Sequence, residues 1–260
     1  MSLILLTNDD GIEAEGLKCL GEHLRGLADI LVIAPDRERS AVSHGLTIDK
    51  SLTLKNILPN HYILDGTPAD CVIYALKKVA NPLPDLVISG INHGANLADD
   101  IMYSGTVAAA REASKHGIPS LAVSQAYDDK PIRFKEGAEF IRSLVQMLLL
   151  QNKANSSVCL NINIPVREIK GVKITRQGCS MHFPHYNYMD GQPDREFGAE
   201  RADPQNKSEI TLDLQAIQSN YISITPLQRD QTDYAAARSL VREAARIFQG
   251  FRFPGFGLIG

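Results

Sequence analysis

The 260-residue sequence is short of several features that mark common protein classes, and each shortage excludes one of them. None of its apolar stretches approaches the roughly 18 residues that a membrane helix needs. Lys and Arg number 27 against 30 Asp and Glu, and a formal net charge of −3 argues against a general nucleic-acid binder. We therefore expect no membrane segment and no stable nucleic-acid partner.

Cysteine and several enzyme signatures are also scarce. Cys19, Cys71, Cys159 and Cys179 form no CxxC pair, which fits free thiols in a reducing compartment better than a disulfide scaffold or a zinc site. The N-terminal residues show no secretory signal, which agrees with a reducing compartment. The P-loop, a GxGxxG fingerprint after the first strand and the GxSxG elbow are absent, which excludes three common catalytic or nucleotide-binding loops.

Short apolar runs alternate along the chain with segments of helical periodicity. The apolar runs predict strands at 3–6, 30–34, 62–64, 86–89, 120–124, 158–164, 210–214 and 221–225. The periodic segments predict helices at about 17–27, 104–115, 134–151 and 233–248. A further helix at about 67–79 is predicted from its start, where Thr67 is a typical N-cap, Pro68 suits the first helical position and Asp70 is an acid in the first turn. This alternation predicts an α/β fold, a Rossmann-like three-layer sandwich with helices on both faces of a mostly parallel sheet.

The pattern changes near residue 177, so we divide the chain into three parts. Residues 1–177 form the predicted α/β catalytic core. Residues 178–206 hold three Pro and three Gly without a clear period, which predicts a protruding arm. Residues 207–260 end in a segment where four of the eight Phe lie among glycines. Exposed Phe needs a covering surface, which belongs either to the chain's own core or to a partner subunit.

Two acids stand at the end of the first predicted strand. Asp9 and Asp10 precede Gly11, at the sheet edge where ligands bind in open α/β folds. Adjacent carboxylates repel each other unless a cation neutralises them, and oxygen ligands suit Mg²⁺ or Mn²⁺. An Asx turn with a helix cap explains the same residues equally well.

The loop after the second predicted strand belongs to the same edge. In it Arg37 and Arg39 could reach a phosphate, and Ser40 could offer its hydroxyl to a metal ion. A solvated charged loop is the alternative. Nearby, His44 is either a surface histidine or a proton carrier.

Two further segments carry polar groups to this edge. Asn92 and Asn96 follow the strand at 86–89 and supply amide groups, although a plain turn has the same composition. Ser104, Gly105 and Thr106 open a helix and would form a phosphate site, or simply an N-cap. Together with the acids, these segments predict a metal-dependent phosphate-ester hydrolase, in which Asp9 or Asp10 orients the attacking water while Ser104 and Thr106 hold the phosphoryl oxygens.

The segments, in their order, closely resemble the SurE (survival protein E) family of nucleotide phosphatases. The matching motifs are Thr7-Asn8-Asp9-Asp10-Gly11, Ala34-Pro35-Asp36-Arg37-Glu38-Arg39-Ser40, Gly66-Thr67-Pro68-Ala69-Asp70-Cys71-Val72, Ser89-Gly90-Ile91-Asn92 with Gly94 and Asn96, and Tyr103-Ser104-Gly105-Thr106-Val107-Ala108. They lie densely within residues 3–125.

The resemblance implies both a function and a set of site residues. It implies a cytoplasmic phosphatase of nucleoside 5′- and 3′-monophosphates that uses one divalent ion, Mg²⁺ or Mn²⁺. The implied ligands of the ion are Asp9, Asp10, Ser40 and Asn92. The implied neighbours of the substrate phosphate are Asn96, Ser104, Gly105 and Thr106. The resemblance also implies a homodimer or homotetramer, assembled through C-terminal exchange and an extended arm.

Two other functions fit the same residues. A non-catalytic nucleotide-binding module would use the same anion site, although two carboxylates repel a phosphate unless a metal intervenes. An aspartyl-phosphate phosphatase would use Asp9 as a covalent nucleophile, although such enzymes resemble a DxDxT pattern and the acids here are adjacent. Metal removal and phosphoenzyme trapping would separate the three functions.

Overall fold

The computed structural model describes residues 2–128, 131–150, 158–179 and 209–247. Residues 244–247 are described by their backbone alone. The centre of the structure is a nine-stranded sheet with the order β3-β4-β2-β1-β5-β6-β7-β9-β8. The strands are β1 (Leu3–Thr7), β2 (Asp29–Pro35), β3 (Leu54–Leu58), β4 (His61–Leu64), β5 (Leu86–His93), β6 (Ser120–Gln125), β7 (Cys159–Ile164), β8 (Gly171–Ile174) and β9 (Tyr221–Leu227). Only the β3–β4 and β7–β9 pairs of this sheet are antiparallel, so the predicted, mostly parallel sheet is confirmed.

Helices cover both faces of the sheet. They are α1 (Glu15–Leu24), α2 (Pro68–Tyr74), which continues as a π-helical turn (Ala75–Val79), a 3₁₀ helix (Ala98–Met102), α3 (Gly105–Lys115), α4 (Phe134–Leu150) and α5 (Asp213–Gln218). A further helix, α6 (Tyr234–Ile247), belongs to a separate unit of the chain. None of the helices in the described residues is both long enough and apolar enough to cross a membrane.

The three-layer arrangement follows from how β1 alternates. Ile4 and Leu6 point into a core that includes residues of α1 and α4, whereas Leu5 points into a second core with residues of α2 and α3. All three side chains are fully buried, because successive residues of a strand face opposite sides of the sheet and both sides are covered.

Local capping explains where α2 begins. The Thr67 side chain accepts a hydrogen bond from the Asp70 amide at 3.1 Å, and the Asp70 carboxylate accepts one from the Thr67 amide at 2.9 Å. Pro68 occupies the first helical position, where its missing N–H has no cost. The helix start predicted from this sequence is therefore confirmed.

The last part of the chain differs from the sequence-based expectation. The predicted strand at 210–214 is wrong: α5 starts at Asp213, and Leu212 makes only an isolated bridge with Arg176. Five residues are too few for an alternating pattern to distinguish a strand from the loop that leads into a helix. Strand β9 lies between β7 and β8 in the main sheet, so the compact α/β unit extends from Met1 to Leu227, past residue 177.

Residues from Gln228 onward form a second unit, which contains α6. The predicted arm at 178–206, apart from its first two residues, lies outside the described residues. So does the Phe- and Gly-rich end of the chain after residue 247.

Candidate active site

The carboxyl edge of the parallel strands carries a polar cavity of about 770 Å³. It lies where the strand order reverses, since the chain places β2 on one side of β1 and β5 on the other. Five of the eight site residues predicted from sequence line it: Asp9, Ser40, Asn92, Asn96 and Ser104. Asp10 lines a neighbouring cavity of about 730 Å³, to which Ser40 also contributes. The remaining two, Gly105 and Thr106, are buried behind Asp9.

Asp9 is the most tightly held of the predicted site residues. Its side chain is only 5% exposed. One carboxylate oxygen, Oδ2, accepts a hydrogen bond from the Thr106 amide at 3.1 Å, and Oδ1 accepts one from the Thr106 hydroxyl. A Cβ at position 105 would lie 2.9 Å from Oδ2 of Asp9, so only glycine permits this approach of α3. The orientation of Asp9 is therefore fixed by the first residues of α3.

Burial also changes the ionisation of the two acids. Loss of water raises the pKa of Asp9 to about 6, with a further contribution from the Asp10 charge, while the Thr106 hydrogen bonds act in the opposite direction. Burial likewise raises the pKa of Asp10, partly opposed by the His93 amide, which donates to its carboxylate at 3.1 Å. Two adjacent carboxylates that are costly to ionise are what a bound cation would stabilise.

The other predicted metal ligands offer oxygen atoms of the right chemistry. The Asn92 side-chain amide donates to the Gly94 carbonyl at 2.8 Å, which leaves its oxygen as the group for a cation. The Ser40 hydroxyl donates to Glu38 at 2.6 Å and keeps its lone pairs. Two carboxylates, a hydroxyl and an amide oxygen form a hard donor set that fits Mg²⁺ or Mn²⁺. No group of three or more His, Cys, Asp or Glu arranged for a metal occurs among the described residues.

Asn96 is held by a network of buried amides. Its backbone N–H donates to Oδ1 of Asn163 at 2.8 Å, and its carbonyl accepts from the side-chain amides of Asn161 and Asn163 at 2.8 and 3.0 Å. Its own side-chain amide donates to the Ser124 hydroxyl at 2.7 Å. The loop is fixed again at Ala98, whose N–H donates to Asp213 at 2.8 Å.

The start of α3 combines the two roles that the sequence left open. Ser104 caps the helix, because its hydroxyl oxygen accepts a hydrogen bond from the Val107 amide at 3.0 Å. Ser104 also lines the cavity, and a hydroxyl that accepts one hydrogen bond still has its proton for donation. Thr106 instead donates its hydroxyl to Asp9 and is fully buried, so in this structure it supports the acid.

The charged side chains predicted near the phosphate lie elsewhere. The Arg39 side chain donates to Asp36 at 2.8 Å, although its backbone N–H donates to the Asp9 carbonyl at 2.7 Å. Arg37 is largely exposed. The His44 ring lies 2.9 Å from the Glu112 carboxylate and does not line the cavity.

Sequence reasoning missed several residues of the site. Asn161, Asn163 and Asp213 belong to no motif, although two buried asparagines inside the apolar segment 158–164 were a usable signal. Tyr127 and His93, whose rings stand edge to face with centroids 5.1 Å apart, line the cavity as well. A lone histidine in a Gly- and Asn-rich loop, such as His93, gives no site signal of its own, and Tyr127 follows β6 in a segment without a recognisable pattern.

The three-layer α/β fold, with its acid-lined cavity beside the reversal of strand order, places the chain in the class of Rossmann-like proteins that bind ligands at the carboxyl edge of the sheet. Comparison with known proteins narrows this class. The chain belongs to the SurE family, since the family model described as Survival protein SurE matches residues 4–183. The family resemblance drawn from the sequence motifs is therefore confirmed.

Curated relatives and a solved structure agree with this assignment. The chain is 42% identical over 251 residues to the 5′-nucleotidase SurE of Vibrio cholerae serotype O1, which covers 91% of this chain and 95% of the relative. It is 42% identical over 241 residues to the 5′-nucleotidase SurE of Pelobacter propionicus, covering 90% of this chain and 96% of the relative. The crystal structure of the SurE protein from Aquifex aeolicus matches with a TM-score of 0.79 and 38% identity, over 93% of this chain and 99% of that one.

Proposed function

We propose that this protein is a divalent-metal-dependent nucleotide phosphatase, which releases phosphate and a nucleoside from nucleoside 5′- and 3′-monophosphates. The chain is a nucleotidase by its family, because its curated relatives are 5′-nucleotidases at 42% identity over most of their length. The enzyme class predicted from sequence is thus confirmed. The structural observation that carries the metal-dependent mechanism is Asp9, a buried carboxylate beside a second acid at the cavity.

Four residues would hold the divalent ion: Asp9, Asp10, Ser40 and Asn92. When bound, such an ion stabilises charge on the phosphate and lowers the pKa of a water molecule. We favour one ion, Mg²⁺ or Mn²⁺, because every donor in the set is an oxygen.

The remaining polar groups act on the substrate. Ser104 donates its hydroxyl proton to a phosphoryl oxygen at the N-terminus of α3, where the helix dipole also favours an anion. Asn96 lines the same cavity, and its amide is oriented by Ser124. Gly105 and Thr106, which the sequence placed around the phosphate, serve the site through Asp9 in this proposal. Asp9 or Asp10 orients the attacking water.

A metal-dependent phosphate-release assay tests the proposal. We expect purified protein to release phosphate from AMP and other nucleoside monophosphates in the presence of Mg²⁺ or Mn²⁺. EDTA should abolish release, and adding back the ion should restore it. Activity that survives EDTA would contradict metal dependence. Binding of AMP without phosphate release would identify a binding module, and a trapped phosphoryl-Asp9 would identify the covalent phosphatase.

The assembly and location of the protein are part of the proposal. We infer a homodimer or homotetramer in the cytoplasm, with residues 178–206 and the C-terminal segment in the subunit contact. Leu240 and Val241 of α6 expose more than half of their surface, which supports a partner for this helix. Light scattering should show a multiple of the 28.5 kDa chain mass, and a chain that ends at Gln228 should be monomeric or aggregate with little activity. A full-length monomer at micromolar concentration would contradict the assembly.

A further inference from the structure

Tyr127 stands out among the residues around the cavity, because it is a large aromatic side chain left open to solvent. It follows β6 directly and is 60% exposed. It lines the cavity that contains Asp9, the neighbouring cavity that contains Asp10, and a third of about 530 Å³. An exposed ring at the meeting point of three cavities is placed to contact a ligand.

The ring is held in place although it is exposed. His93 contacts it edge to face, with the ring planes at 87°. The Cε1 atom of Tyr127 would lie only 3.4 Å from a Cβ at position 94, where Gly94 has a φ of +118°. The Gly94 carbonyl in turn accepts a hydrogen bond from Asn92, a candidate metal ligand. The loop that carries the candidate metal ligand therefore also supports the aromatic ring.

The position of Tyr127 along the sheet edge matches the shape of a nucleotide. Asp9 follows β1, and Tyr127 follows β6, two strands further along through β5. Neighbouring strands are about 4.8 Å apart, so the two positions are separated across the strands by on the order of 10 Å, and Tyr127 lies further than Asp9 beyond the sheet edge. This separation allows a phosphate bound near Asp9 and Ser104 to carry its nucleoside along the edge toward Tyr127.

We propose that Tyr127 is the platform on which the nucleobase of the substrate stacks. The inference rests on the proposed function and adds the subsite for the base. Every base has a π-face, so stacking favours nucleotides over base-free phosphate esters while tolerating all four bases. The larger purines should be preferred over pyrimidines, since they cover more of the ring. Tyr103, which adjoins Ser104, is the rival platform, because it also lines the cavity and is 46% exposed.

The test compares a substrate that has a base with one that lacks it. We would measure kcat/KM for AMP and for ribose 5-phosphate with wild-type protein and with the variants Tyr127→Leu, Tyr127→Phe and Tyr103→Leu. Wild-type protein should prefer AMP. Tyr127→Leu should lower kcat/KM for AMP by roughly tenfold, within the range that stacking on an aromatic side chain supplies, and leave ribose 5-phosphate unchanged. Tyr127→Phe keeps the ring face and should behave like wild type.

Each other outcome overturns the inference in a recognisable way. If Tyr127→Leu lowers both substrates equally, the residue has only a structural role. If it lowers neither, or if only Tyr103→Leu acts selectively on AMP, the platform lies elsewhere. In all of these cases wild-type hydrolysis of AMP leaves the proposed function standing. Wild-type protein that releases phosphate from neither compound would contradict the proposed function and the platform together.

Discussion

The two sides of the cavity differ in whether the residues that support them belong to recognisable sequence motifs. On one side, Asp9 is fixed by Thr106 and Gly105, and all three residues belong to motifs that can be recognised in the sequence. On the other side, Asn96 belongs to a motif, but Asn161 and Asn163, which hold its backbone, do not. They lie 65 and 67 residues further along the chain, within β7.

This difference arises because sequence motifs record the residues that contact a ligand and not the distant residues that support them. Groups that touch a ligand are constrained in type and in local spacing, so they form short recognisable segments. A group that supports them needs only the right position in space, which a distant strand supplies through the sheet. We expect the first side to control metal binding and the second to control the placement of substrate, and the predictions below test that division.

Asp9→Asn should have the largest effect. The substitution removes a proposed metal ligand, so we expect phosphate release at saturating Mn²⁺ to fall by more than about 100-fold, beyond the loss typical of residues that only support a ligand. The fold should remain, as circular dichroism would show. Asp29→Asn, which removes an exposed acid at the start of β2, is the matched control and should keep full activity. Near-wild-type turnover of Asp9→Asn would refute the role of Asp9.

The raised pKa of Asp9 gives a stability test on metal-free protein. A carboxyl group with a pKa of about 6 in the folded state and 3.8 when unfolded binds its proton more tightly in the folded protein. Its contribution to stability is therefore lost as the pH rises from about 4 to about 6, by on the order of 3 kcal/mol. Urea unfolding at pH 4 and pH 7 should show this loss in wild type and a smaller one in Asp9→Asn.

Thr106→Val should have the next largest effect, and it tests how Asp9 is supported. Valine has nearly the shape of threonine but cannot donate to the Asp9 carboxylate, so the pKa of Asp9 should rise further. We expect 10- to 100-fold weaker activation by Mn²⁺, with the loss largest below pH 7. Thr106→Ser keeps the hydroxyl and should stay near wild type. If KM for AMP rises while activation by Mn²⁺ is unchanged, Thr106 contacts the phosphate instead.

Asn163→Ala tests the other side of the cavity. It leaves the buried Asn96 N–H without its acceptor, which costs about 1–3 kcal/mol of stability. We expect KM for AMP to rise several-fold, whereas activation by Mn²⁺ should not change. Asn161→Ala is the matched comparison and should have a smaller effect, because the Asn96 carbonyl still accepts from Asn163. Equal loss of metal activation in the Asn163→Ala and Thr106→Val variants would show that the two sides do not act separately.

Much of the fold and of the candidate site could be predicted from the sequence, and the parts that could not be predicted have physical reasons. The apolar runs and the Thr67 cap located most strands and α2, because burial on both faces and capping leave local patterns. Strands β3 and β8 were missed, since they lie toward the ends of the sheet and carry few buried residues. The segment 210–214 was assigned the wrong structure because it is too short for its period to be decisive. Tyr127 and Asn163 were not identified because their roles come from neighbours that are distant in sequence.

The smallest effect is expected at His44, which lies close to the motifs in sequence but does not line the cavity. A variant at this position tests whether His44 carries a proton in the reaction. Its ring contacts the buried carboxylate of Glu112. The same carboxylate accepts a hydrogen bond from Nζ of Lys115 at 3.2 Å and lies 3.1 Å from Nε2 of His116. Burial raises the pKa of Glu112, but the His44 and Lys115 contacts outweigh it and lower the pKa overall, so this acid stabilises the fold at neutral pH and loses that contribution as the pH falls below about 4.5. His44→Gln removes one of the three partners of this buried carboxylate but keeps a side chain that can donate to it, so unfolding should become easier by about 1 kcal/mol or less. The pH dependence of kcat should not change. A tenfold fall in kcat, or the loss of one limb of its pH profile, would instead make His44 the proton carrier and extend the chemistry beyond the two sides of the cavity.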